Sequence, residues 1–219
     1  KANELGAAAI ITIGGLQTNH GRLTVAASKK LGLKPHLVLA GSEPDTYSGN
    51  LLLDRIMGAE SIHFVNGGLF SDKELIEEKV NEVREELISR GETVYYIPSG
   101  CEPIHGILAY GGAVLELCQQ TCDLDLDISH IFTATGTGST QAGLVFGSKL
   151  FTYPQLEVVG ISVAQEGETL EDKIYADLRE ITESFELKIE FDRKDIQVND
   201  QFVGSNYGDI TEEAVQAIK

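Results

Sequence analysis

Basic side chains are scarce in this sequence: 17 lysines and arginines stand against 34 aspartates and glutamates, a formal charge of −17. A chain this acidic repels phosphate backbones, which excludes nucleic acid as a general partner. Backbone N–H groups can still bind an anion locally. Long apolar runs are missing too. The longest candidate, Gly6 to Leu16, falls short of the roughly 18 residues that a membrane-spanning helix needs. A basic start followed by a small-residue cleavage site is also missing, so no signal peptide is expected. Cysteine is limited to Cys101, Cys118 and Cys122. An odd number with one close pair is no disulfide framework and points to a reducing cytoplasm. Cys118 and Cys122 stand one helical turn apart, with no further ligand at metal-binding spacing, so no metal is expected. Low-complexity linkers and internal repeats are lacking, and apolar runs recur along the whole length, which argues against disorder.

What is present is an alternation of strand and helix patterns. Ala7 to Ile13, Pro35 to Ala40, Ser61 to Val65, Thr93 to Ile97, Ser129 to Thr135 and Leu156 to Val163 read as buried strands. His20 to Leu31 reads as a helix with Leu23, Ala26, Ala27 and Leu31 on one face. Gly49 to Gly58, Asp72 to Arg90, Ile104 to Leu117, Thr140 to Leu150 and Leu170 to Ser184 read as further helices. Another starts at Glu212 with Thr211 as its cap. The clearest helix, Asp72 to Arg90, carries a stripe of Leu75, Ile76, Val80, Val83, Leu87 and Ile88. Ser71 and Glu74 form a capping-box pattern before it, and Gly91 suits the C′ position after it. Apolar strands alternating with helices predict an α/β fold with parallel sheet, and a domain boundary is expected near Pro98 to Pro103.

In such folds ligands bind beyond the carboxyl ends of the strands, so the strand-to-helix loops are the candidate sites. The first is Gly14-Gly15-Leu16-Gln17-Thr18-Asn19-His20-Gly21-Arg22. Gln17, Thr18, Asn19 and His20 offer an amide, a hydroxyl, an amide and an imidazole in succession. Either they meet a ligand, or Thr18 or Asn19 caps the helix. The second is Thr135-Gly136-Thr137-Gly138-Ser139-Thr140, whose small residues leave backbone N–H groups free at a helix N-terminus. That is a phosphate cradle, or else a tight turn. A dinucleotide fingerprint fails here because Gln141 takes the third glycine's place and the next strand ends without an acidic residue. A P-loop needs Gly-Lys-Ser/Thr, which the sequence lacks. The cradle therefore suits a compact monophosphate. The third loop runs from Pro98 to Pro103. A fourth, Gly204-Ser205-Asn206-Tyr207-Gly208, presents Tyr207 either as a proton-carrying phenol or as a surface tyrosine. His36 and His63 fall in strands and read as structural; His105 and His130 lie near loops.

Four segments occur in a telling order: Gly-Gly-Leu-Gln-Thr-Asn-His at 14–20, Ile-Pro-Ser-Gly-Cys at 97–101, Thr-Gly-Thr-Gly-Ser-Thr-Gln-Ala-Gly-Leu at 135–144, and Tyr-Gly at 207–208. Together they resemble the pyridoxal-phosphate (PLP) enzymes of the D-cysteine desulfhydrase and 1-aminocyclopropane-1-carboxylate (ACC) deaminase family. The resemblance implies a fold-type II, tryptophan-synthase-β-like architecture: two parallel-sheet α/β domains with the cofactor between them. Residues 1–99 would be most of the smaller domain and 100–219 much of the larger. It implies a lyase or hydrolase acting on a small amino acid, homodimeric when complete. It also assigns roles: Asn19 to the cofactor's 3′ oxygen, Gly136, Thr137, Gly138, Ser139 and Thr140 to its phosphate. Gln17, Thr18, Asn19 and His20 would surround the substrate carboxylate, with Thr18 and Tyr207 as catalytic groups.

The departures shape the substrate expectation. The family commonly has Ser where Thr18 stands. His20 resembles the desulfhydrase branch, since the deaminase branch tends to show Gln, whereas Gly100-Cys101 looks more like the deaminase branch. D-cysteine, converted to pyruvate, sulfide and ammonia, is the expected substrate, with ACC as the alternative. The family's Schiff-base lysine would lie upstream of Lys1, and a second active-site tyrosine beyond the other end. On that expectation the chain is truncated at both ends and inactive by itself, or else a pseudoenzyme with a binding role.

Overall fold

The computed structural model describes residues 1–219 apart from 152–155, 205–207 and 209. The chain divides into two compact units, Lys1–Ser99 and Gly100–Lys219.

In the first unit, strands β1 (Ala9–Gly15), β2 (Lys34–Ala40), β3 (Ser61–Val65) and β4 (Val94–Ile97) form a parallel sheet in the order β3-β2-β1-β4. Helices α1 (Asn19–Lys30), α2 (Gly49–Met57) and α3 (Lys73–Ser89) make the crossovers. The pleat sorts β2 between two cores. Val38 packs with Ile11, Ile76, Val80, Val83 and Leu87. Leu37 and Leu39 pack with Val25 and Leu51. Both faces are covered, which is why β2 is apolar without alternation.

Two helix faces differ from the expectation. On α3 only Ile76, Val80, Val83 and Leu87 are buried, while Leu75 and Ile88, at the stripe's edges, are exposed. On α1 the buried residues are Gly21, Thr24, Val25 and Ser28, and Leu23, Ala27 and Leu31 face outward. Small residues let α1 approach the sheet closely, so counting apolar side chains selects the wrong face. The start of α3 differs as well. Its N-cap is Asp72, whose carboxylate accepts from the Gly68 N–H at 2.7 Å and the Ser71 hydroxyl at 2.6 Å. The carboxylate closes the preceding turn and moves the boundary past Ser71, so the Ser71–Glu74 capping box does not form. The C-terminal signal holds: Gly91, at φ +82°, donates to Ile88 O, and Glu92 N donates to Leu87 O, a Schellman motif.

In the second unit, β5 (His130–Thr135), β6 (Glu157–Ser162) and β7 (Gln197–Asn199) form a parallel sheet in that order. The helices are α4 (Pro103–Asp123), α5 (Ser139–Leu150), α6 (Gly167–Ser184) and α7 (Glu212–Ile218), the last capped by Thr211 accepting from Ala214 N. Helix α4 extends well beyond Leu117, because no glycine or proline follows to stop it. β7 has only three residues, too few for a periodic signal.

Helices α4 and α5 run parallel with their backbones in close approach. A Cβ on Gly143 would lie 2.9 Å from Ile107 O, and one on Gly147 would lie 2.9 Å from Gly111 O. Helix α5 is buried on every side from Gln141 to Gly147, and Phe146 packs in one core with Ile174, Leu178 and Ile181. This packing anchors the α5 N-terminus, where the glycine loop ends.

Candidate functional site

In the first unit the strand order reverses between β1 and β4, the position at which open parallel sheets bind ligands. The β1–α1 loop rises there. Thr18 is the N-cap of α1, buried, and its Oγ1 accepts from the Gly21 N–H at 3.1 Å. Its side chain sits between two glycines: a Cβ on Gly14 would lie 2.5 Å from Oγ1, and one on Gly21 only 2.4 Å from Cγ2. Those glycines make the room that a threonine needs here. As an acceptor in the cap, the hydroxyl still has its own proton to donate.

Asn50, at the start of α2, was not a sequence candidate, yet it orients two residues that were. Its Nδ2 donates to the backbone carbonyl of Gln17 and to Asn19 Oδ1, both at 2.9 Å. A backbone carbonyl only accepts, so the Asn50 atom is the nitrogen and the Asn19 atom facing it is the oxygen. Asn19 Nδ2 is thereby left as the donor, the polarity that an anionic phenolic oxygen requires. Gln17 is spent differently. Its Oε1 accepts from Asn50 N at 2.8 Å and its Nε2 donates to Ser48 O at 3.1 Å, so its amide braces the first turn of α2.

His20 Nε2 lies 2.9 Å from the hydroxyl of Thr12, a fully buried β1 residue that donates to Ile97 O at 2.8 Å. Burial pushes the imidazole pKa below its ordinary value, so the ring is neutral at pH 7.

In the second unit, the β5–α5 loop has the features of an anion cradle. Gly138 is the helix N-cap at φ +89° and supplies no side-chain cap. Among the described residues, no carbonyl in a turn accepts from a backbone N–H of residues 136–140. The first N–H groups of α5 have no partner within the helix. Thr135 Oγ1, at the base of the loop, is buried with no partner among the described residues. Gly100, at φ +79°, lets the α4 entry turn close on the loop: a Cβ there would lie 2.2 Å from Thr137 Oγ1. Gly106 similarly sits against Ser139.

The cradle also has a support that the sequence reading missed. Gln165 Nε2 donates to Gly136 O at 2.6 Å, and the Gln165 backbone is held by Ser162 Oγ through bonds of 2.5 and 3.2 Å. Across a planar trans peptide, the Gly136 carbonyl and the Thr137 N–H point in opposite directions. Fixing one fixes the other. The available signal was weak: a glutamine just after a predicted strand.

Other singled-out residues have ordinary places. His36 is buried in β2, and His36 Nδ1 and His63 Nε2 each lie 2.8 Å from Ser61 Oγ, which makes both structural. Cys101 adopts φ +71° and burial raises its thiol pKa, so it is no thiolate. Among the described residues no group of three potential metal ligands occurs, and no helix is long and apolar enough to cross a membrane. Tyr207 lies outside the described residues, as do Ser205 and Asn206.

A parallel-sheet α/β chain with an uncapped, glycine-lined helix N-terminus and a polar strand-to-helix loop has the features expected of a phosphate-cofactor protein. The pyridoxal-phosphate dependent enzyme family matches residues 1–219, and the chain belongs to it. A Pyrococcus horikoshii protein, named as a proposed ACC deaminase, is 35% identical over 216 residues, 98% of this chain and 62% of its own length. The D-cysteine desulfhydrase of Klebsiella pneumoniae is 30% identical over 219 residues, 98% of this chain and 63% of that protein. A crystal structure of an ACC deaminase homologue superposes with a TM-score of 0.79 at 33% identity, covering 98% of this chain and 62% of that one. The fold is thus that of the fold-type II PLP enzymes. The chain spans less than two thirds of these relatives' lengths.

Each loop by itself offers groups of the kind that cofactor needs: N–H donors and the hydroxyls of Thr137, Ser139 and Thr140 at the α5 N-terminus for a phosphate, and in the other unit an amide donor, Asn19 Nδ2, for a phenolic oxygen.

Proposed function

We propose that the complete gene product is a PLP-dependent lyase or deaminase of a small amino acid, with D-cysteine as substrate and ACC as the alternative. The observation carrying the reading is the pinned Gly136 carbonyl before an uncapped α5, a backbone arrangement shaped for a phosphate group. When bound, the cofactor supplies an electron sink for bond cleavage at the substrate's α-carbon. This chain's residues bind and orient. The cradle of residues 136–140 holds the phosphate, Asn19 donates to the phenolic oxygen, and Thr18 presents a hydroxyl whose proton is free to move. Relatives carrying both names support the class, and His20 favours D-cysteine. Tyr207 is proposed as a second proton carrier. The three free cysteines suit a cytoplasmic setting, and the complete protein is proposed to be a homodimer.

We further propose that the cofactor-anchoring lysine is not among residues 1–219. Lys29, Lys30, Lys73, Lys79, Lys149 and Lys173 stand in helices, Lys34 opens β2, Lys188 and Lys194 lie in the connection from α6 to β7, and Lys1 and Lys219 are the first and last residues, none of them on the two glycine loops. The test compares the complete gene product with the 219-residue chain, each given PLP and D-cysteine, following sulfide and pyruvate. Turnover should require the complete product. Borohydride reduction and peptide mapping should place the label outside this chain. Turnover by the 219 residues well above free PLP, with one of these lysines labelled, would overturn the placement. No sulfide from the complete product, with brisk deamination of ACC, would move the assignment to the alternative.

A further inference from the structure

The β1–α1 turn contains a hydrogen-bond chain whose direction follows atom by atom. Thr12 Oγ1 lies 2.8 Å from Ile97 O and 2.9 Å from His20 Nε2. A hydroxyl has one proton, and a carbonyl oxygen has none to give. The Thr12 proton is therefore committed to Ile97, because otherwise two acceptor oxygens would face each other at 2.8 Å. The second bond then takes its proton from the imidazole. Nε2 carries a hydrogen, and in a neutral ring Nδ1 is a bare lone pair.

We propose that Thr12 is a positioning residue that fixes His20 as the Nε2–H tautomer, and that His20 consequently meets its ligand as an acceptor through Nδ1. The ligand group it takes is one with a proton to give, an ammonium or a thiol. A carboxylate would meet Nδ1 lone pair to lone pair. Carboxylate recognition then falls to Thr18 and Asn19, which both retain protons to donate, and His20 leaves the group expected to surround that carboxylate. The ligand class rests on reading this loop as the substrate loop; the tautomer does not.

The geometry explains why a threonine sits at the middle of a buried strand. Thr12 pairs across the sheet with Ile97, at the junction of β1 and β4 where the strand order reverses. An apolar residue there would pack equally well but would leave the imidazole free to exchange tautomers.

The test is nuclear magnetic resonance of the protein labelled with ¹⁵N-histidine, using two-bond ¹H–¹⁵N correlations at pH 7. His20→Gln assigns the His20 signals by their loss. The parent should show His20 with a protonated Nε2 and a bare Nδ1. Thr12→Ser should keep that pattern, and Thr12→Val should shift His20 toward a mixture of tautomers while the other imidazoles stay in place. His20 protonated on Nδ1 in the parent, or a Thr12→Val pattern identical to the parent's, overturns the proposal. Should Thr12→Val fail to fold, the parent and Thr12→Ser spectra decide. Cysteamine, which has an ammonium and a thiol but no carboxylate, should shift His20 Nδ1, and propionate should not. The reverse overturns the ligand class. None of these measurements needs turnover, so the proposal and the D-cysteine assignment fail separately.

Discussion

The side-chain amide of Gln165 donates to the backbone carbonyl of Gly136 at 2.6 Å, and in doing so aims the next N–H of the proposed phosphate loop. Gln165→Ala should therefore loosen the cradle without disturbing the sheet. One hydrogen bond is worth about 1 kcal/mol, so PLP affinity of the complete gene product should fall roughly 5- to 10-fold. Gln165→Glu should cost more, because its carboxylate would oppose the Gly136 carbonyl and repel a phosphate. Equilibrium dialysis against PLP gives both numbers. Parent-like affinity in both variants would mean that the loop holds its shape unaided.

How much of this was legible in the sequence depends on what each residue answers to. β3 is read to the residue, because Ser61-Ile-His-Phe-Val is bounded by turns and paired along its length. The glycine loop before α5 was legible because Gly136 and Gly138 have few other uses before a helix. The α1 face was not, since close packing there uses Thr24 and Ser28, which hydropathy scores as surface. Nor were Thr12, Asn50 and Gln165. Each acts through a partner distant in sequence (Ile97, Gln17 and Gly136), and no local pattern encodes such pairs.

Thr18 offers a direct test of the hydroxyl. Thr18→Ala should lower turnover of the complete gene product by roughly 10²-fold or more if the hydroxyl moves a proton. It should also remove a helix cap, at a cost of about 1 kcal/mol in stability. Thr18→Ser should keep most of the activity, losing only the methyl packed over Gly21. Rates and urea unfolding measured on the same preparations separate the two roles. Lost stability with parent-like turnover would reduce Thr18 to a cap.

Gly147 tests the parallel packing of α4 and α5. A methyl there would lie 2.9 Å from the Gly111 carbonyl and 2.8 Å from Val114 Cβ, with α5 buried on all sides. Neither helix can yield without disturbing Phe146. Gly147→Ala should destabilise by about 1–3 kcal/mol despite its better helix propensity. Thermal unfolding measures this, and a rise in Tm would show that the helices separate easily.

Asp54 should make stability depend on pH. It is fully buried, and both carboxylate oxygens lack hydrogen-bond partners among the described residues. Burial raises its pKa from 3.8 to about 6, a rise that the Arg22 guanidinium partly offsets. A group whose pKa is higher folded than unfolded favours the folded state fully below the unfolded value, and that contribution is lost as pH rises through the folded one. Asp54→Asn mimics the neutral acid at every pH. It should stabilise the protein at pH 7.5 by about 1–3 kcal/mol and change little near pH 4. Urea titrations at the two pH values check this; an equal gap at both would mean that the carboxylate is already solvated or paired.

Substrate choice should turn on the two nitrogens of His20, which two amides can mimic one at a time. A glutamine nitrogen can reach roughly the place of Nε2 and keep the bond to Thr12, but nothing then replaces the Nδ1 lone pair. An asparagine oxygen stands roughly where Nδ1 does, but its side chain falls short of Thr12. If Nδ1 accepts a hydrogen bond from the thiol of D-cysteine, His20→Gln in the complete gene product should lower kcat/KM for D-cysteine roughly 5- to 10-fold, the effect of one hydrogen bond of about 1 kcal/mol. ACC has the ammonium but no thiol, so its kcat/KM should fall less, and the preference for D-cysteine should narrow. His20→Asn keeps an acceptor without its anchor and should lose activity toward both. The measurement is kcat/KM for both compounds in one buffer with all three proteins. The parent should favour D-cysteine. An unchanged ratio in His20→Gln would remove His20 from substrate choice, and a parent that clearly prefers ACC would give the weight to Gly100 and Cys101 instead.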